Sequence, residues 1–83
     1  MSTVGDFIKK VASIAMERNL FGIEDPEKFN EGYRRRLDEI VQAVSDENNV
    51  PPKLITSLPE ETPLGEESQR LFEEFVEWIA TPQ

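Results

Sequence analysis

The sequence predicts an all-α protein: a small antiparallel three-helix bundle with a proline-rich, partly packed connection between its second and third helices. Three observations carry the prediction. Apolar residues recur at three- and four-residue intervals in three separate stretches. Each stretch opens on a helix-start signal. No stretch alternates apolar and polar residues in the way a half-buried strand does. Eighty-three residues with 37% apolar content make one domain spanning residues 1–83, large enough for a small core but with a thin stability margin.

The first helix is expected over about residues 3–19. Thr3 followed by Asp6 has capping-box spacing, a hydroxyl at the start and a carboxylate three residues on. Val4, Phe7, Ile8, Val11, Ala15 and Arg18 then follow the i, i+3, i+4, i+7 pattern, with Asp6, Lys9, Lys10, Ser13 and Glu17 on the opposite side. Gly22 suits a chain reversal after it.

The second helix, over about 26–48, is the clearest. Asp25 is placed to cap the free N–H groups, Pro26 fits the first helical position, and Glu27 faces the positive end of the helix dipole. Phe29, Tyr33, Leu37, Ile40, Val41 and Val44 form its apolar stripe. The 33/37/40/44 spacing alternates four and three, as in a coiled-coil seam.

Residues 49–62 form the interrupted connection. Prolines 51, 52, 59 and 63 exclude a long helix between Val50 and Leu64. Val50, Leu54, Ile55 and Leu58 are too apolar for a free linker, so the segment is expected to lie across the core with one helical turn around Pro52–Ser57. The third helix is expected over about 63–80, with Thr62 as cap and Pro63 in its first position. Its apolar face carries Leu64, Leu71, Phe72, Phe75 and Ile79, with Trp78 at one edge and Val76 at the other.

"RRR" at 34–36 raises the question of a nucleic-acid site. At about 100° per residue, Arg35 points directly away from the second helix's apolar stripe, and Arg34 and Arg36 flank that stripe on either side. The three fan apart and make no single patch. Glu31, Asp38 and Glu39 stand at i, i+4 spacing to them, and Arg34 and Arg36 are expected to lay their stems along the stripe and to meet the acidic third helix. Residues 37–83 carry a net charge of -9 against +1 for residues 1–36, which repels polyanions and anionic membranes. Direct nucleic-acid binding and membrane binding are therefore not expected.

Composition narrows the chemistry. With no Cys and no His, the thiolate nucleophile, the imidazole base and the thiolate and imidazole metal ligands are all missing. Adjacent glutamates point about 100° apart on a helix and do not chelate one ion. The segment around Asp46 and Asn48 lacks the glycine and distal glutamate of a calcium loop. No enzyme activity, cofactor or metal is expected. The start "MSTVGDFIKK" has no signal-peptide pattern, and a cytoplasmic location is the expectation.

What remains is a surface. Glu66, Glu67, Glu73, Glu74 and Glu77 share the outer side of the third helix with Arg70 as the lone cation among them. Phe21 and Trp78 are the large aromatic candidates for contact beside them. The sequence thus predicts a small acidic protein–protein interaction module, regulatory or inhibitory, docking the basic surface of a partner such as a nucleic-acid-binding protein. The alternative is a structural accessory subunit or helical homodimer of a larger assembly, joined through the apolar connections (Leu20, Phe21 and Ile23; Leu54, Ile55 and Leu58). Monomer and homodimer are both open.

Overall fold

The computed structural model describes residues 2–17 and 26–81. Arg18, Leu20, Phe21, Gly22, Ile23 and Asp25 lie outside these residues. Among the described residues the fold is all-α: α1 is Val4–Glu17, α2 is Pro26–Asn48 and α3 is Glu66–Ala80, with a 3₁₀ helix at Pro52–Ser57. The one helical turn expected in the proline-rich connection is this 3₁₀ helix. No helix among the described residues is long and apolar enough to cross a membrane.

α2 and α3 are an antiparallel pair. At one end, Glu47 near the close of α2 reaches Gly65 and Ser68 at the start of α3. At the other, Phe29 near the start of α2 stacks on Trp78 near the close of α3, with ring centroids 5.2 Å apart. The core between them holds Phe29, Ile40, Val44, Phe72, Phe75 and Ile79, with Val4, Phe7 and Ile14 from α1. Tyr33 and Leu37 pack against this cluster, and Tyr33 meets Phe75 at 5.7 Å. The coiled-coil-like spacing on α2 is therefore filled from within the chain. Ile55 of the 3₁₀ helix is buried in the same core, Leu58 is half-buried and Leu54 is 45% exposed.

α1 departs from its expected stripe by one position. Ile14 is buried and Ala15 is exposed, so the inward line runs Val4, Phe7, Val11, Ile14. Once Phe7 is fixed against Phe72 in an edge-on contact at 5.9 Å, successive three- and four-residue steps reach Ile14. The larger side chain then takes the inner place.

The capping box forms. The Thr3 N–H donates to Asp6 Oδ2 at 2.9 Å, and the Asp6 N–H donates to Thr3 Oγ1 at 3.2 Å. Two further free N–H groups of α1 are taken up by the proline-rich connection. Val4 donates to the Thr62 carbonyl at 2.8 Å and Gly5 to the Glu60 carbonyl at 2.9 Å. Leu64 returns a bond to the Ser2 carbonyl at 3.0 Å. A Cβ on Gly5 would lie 2.9 Å from the Glu60 carbonyl oxygen, so this approach needs glycine.

That docking corrects the expected start of α3. Pro63 pairs with Thr3 in an antiparallel bridge, and Thr62 gives its carbonyl to α1 rather than its hydroxyl to α3. The helix begins three residues later, at Glu66, with an extended Gly65 as its N-cap. At the other boundary the sequence-based limit holds, since α2 ends at Asn48. Asn49 adopts a left-handed φ of 54°, and the Val50 N–H returns to the Ser45 carbonyl at 3.2 Å. This is the six-to-one bond of a Schellman stop. The Ser45 hydroxyl donates to the Val50 carbonyl, and the Asn48 side chain to the Val44 carbonyl.

Candidate interaction surface on the third helix

Ser68, Phe72, Phe75 and Ile79 face inward on α3. With about 100° between successive residues, the opposite side then carries Glu66, Arg70, Glu73 and Glu77, with Glu67 and Glu74 on one flank. All five glutamates singled out from the sequence are exposed. The helix thus holds them together along one face about three turns long.

They are not equivalent. Arg70 pairs with Glu67 at 2.6 Å and with Glu74 at 3.1 Å. The Glu67 hydrogen bond and the charges of Glu67 and Glu74 raise the Arg70 pKa above its ordinary value. Glu66, Glu73 and Glu77 form no ion pair with any described residue. At spacings of seven and four they share one side of the helix with Arg70, whose guanidinium stands among them but is engaged by Glu67 and Glu74. Glu66, in the first turn, also sits favourably against the helix dipole.

A sixth carboxylate, Glu47, has a different role that the sequence did not signal. Its Oε1 accepts the Gly65 N–H at 3.0 Å and the Ser68 hydroxyl at 2.6 Å, while Oε2 accepts the Ser68 N–H at 3.0 Å. Gly65 has no side chain to cap α3, and Glu47 supplies the missing acceptor from 18 residues away. Partial burial pushes its carboxyl up. The bonds from the Ser68 hydroxyl and from the N–H groups of Ser68, Gly65 and Glu67 outweigh this and hold it below the ordinary value of 4.5.

Trp78 lies at the other end of α3. It is half-buried, stacked on Phe29, with the Arg36 guanidinium 4.4 Å from its ring centroid. Arg36 also donates to the Gly32 carbonyl at 3.2 Å. A Cβ on Gly32 would lie 3.0 Å from the indole ring, so the glycine opens the seat for Trp78. Of the two stripe-flanking arginines expected to meet the third helix, Arg36 does so through Trp78 rather than through its glutamates, and Arg34 is exposed and closes no ion pair. The Glu31–Arg35, Arg34–Asp38 and Arg35–Glu39 spacings close no ion pair. Each would contribute only about 0.2–0.5 kcal/mol against the freedom of two long side chains.

Between α2 and α3 on this side runs a groove of about 530 Å³ lined by Leu71, Trp78 and Thr81, by Glu39, Glu74 and Glu77, and by Arg35 and Arg36. Phe21, the remaining predicted contact residue, lies outside the described residues. Among the described residues no three acidic side chains come together as metal ligands would. What the arrangement offers chemically is fixed negative charge beside an aromatic edge. Models of protein families, curated proteins and solved structures were all compared with this chain, and none matches it.

Proposed function

We propose that this protein is an acidic interaction module that docks the basic surface of a protein partner through the outer face of α3 and regulates or inhibits that partner. The observation supporting the reading is the Glu66–Glu73–Glu77 set, three exposed carboxylates on one helix face that close no ion pair with a described residue, the one arginine among them, Arg70, being engaged by Glu67 and Glu74. Glu66 gains from the helix dipole, but Glu73 and Glu77 repel as like charges four residues apart on one face. A nucleic-acid-binding partner fits best, since its phosphate-binding surface would meet carboxylates in place of phosphates. The association is then electrostatically steered, fast and weakened by salt.

The test is capture of the partner on immobilised protein over a salt series, with the Glu66→Gln/Glu73→Gln/Glu77→Gln variant beside it. Retention should fall steeply with ionic strength, and the triple variant should bind about tenfold more weakly at low salt. Retention that ignores both salt and the triple substitution would remove the reading.

A second reading, an accessory subunit or homodimer, draws on α1. Met16 is 86% exposed, and Ala12 and Ala15 are exposed beside half-buried Ile8. This apolar flank adjoins the helix's core stripe. Light scattering separates the two: a monomer at high concentration favours the acidic module, and concentration-dependent self-association favours the subunit.

A further inference from the structure

We draw no further inference here: the strongest candidate, the apolar flank of α1 on which Ala12, Ala15 and Met16 are exposed beside half-buried Ile8, is an unpartnered helix face, and nothing in the structure shows what covers it.

Discussion

Glu47 and Glu66 belong to the same acidic half of the chain and both stand at the first turn of α3, but the fold uses them differently. Glu47 comes from the neighbouring helix and takes three hydrogen bonds from Gly65 and Ser68. Glu66, like Glu73 and Glu77 below it, points into water and pairs with no described cation. The arginines divide in the same way: Arg36 lies on Trp78, whereas Arg34 and Arg35 are exposed and close no ion pair. Charge content alone therefore says little about function here. The informative charges are those left over once the fold has taken what it needs.

The sharpest way to break this division is to remove the acceptor that α3 depends on. Glu47→Ala should destabilise the protein by about 1–2 kcal/mol, the usual range for losing a helix cap, with Tm falling about 4–8 °C per kcal/mol. Glu47→Gln keeps one acceptor oxygen and should lose less. Gly65→Ala probes the same contact from the other side, since its Cβ would lie 2.5 Å from the Glu47 carboxyl carbon. It should cost about 1 kcal/mol, and little further when made on Glu47→Ala, as a double-mutant cycle by thermal unfolding would show.

Acid sharpens the comparison without a mutation. The folded state lowers the Glu47 pKa below 4.5, so near that pH the unfolded chain binds more protons than the folded one. Stability from this group is complete above 4.5 and is lost as pH falls through the lower, folded value. The slope of unfolding free energy against pH in that window should be shallower in Glu47→Gln than in the parent.

Arg36→Ala should cost about 0.5–1 kcal/mol through the lost indole contact and change Trp78 fluorescence. Arg34→Ala should do neither. Smallest of all is the expected effect of Glu66→Gln/Glu73→Gln/Glu77→Gln on stability, within about 0.5 kcal/mol of the parent.

The sequence revealed the parts of this fold that depend on local periodicity. Phe29, Ile40 and Val44 on α2 and Phe72, Phe75 and Ile79 on α3 are buried as their spacing requires, and the Thr3–Asp6 box closes where it was read. Arg36 reaches α3 because Trp78 is seated over Gly32 beside it, whereas Arg34, at the matching angle on the other side of the stripe, stays exposed. The misses are long-range. Thr62 and Pro63 look like a helix start in isolation, but α1 claims that segment for its own N–H groups. Ile14 and Ala15 compete for one inward position, and packing against α3 decides between them. Glu47 had no local signature, because its partners lie 18 and 21 residues away. A sequence cue did exist for the Trp78 seat: Gly32, a glycine inside a helix, marks a close approach. The outer glutamates were legible as a set, whereas their division into Arg70-paired and free members needed the side-chain geometry.

Urea unfolding of two charge-reduced proteins, Glu47→Ala and Glu66→Gln/Glu73→Gln/Glu77→Gln, tests this division most directly. One lost carboxylate should lower the midpoint clearly, while three lost carboxylates should leave it within error of the parent or slightly above. A triple variant that unfolds as easily as Glu47→Ala would mean that the stripe serves the fold, and its assignment as a docking surface would be withdrawn.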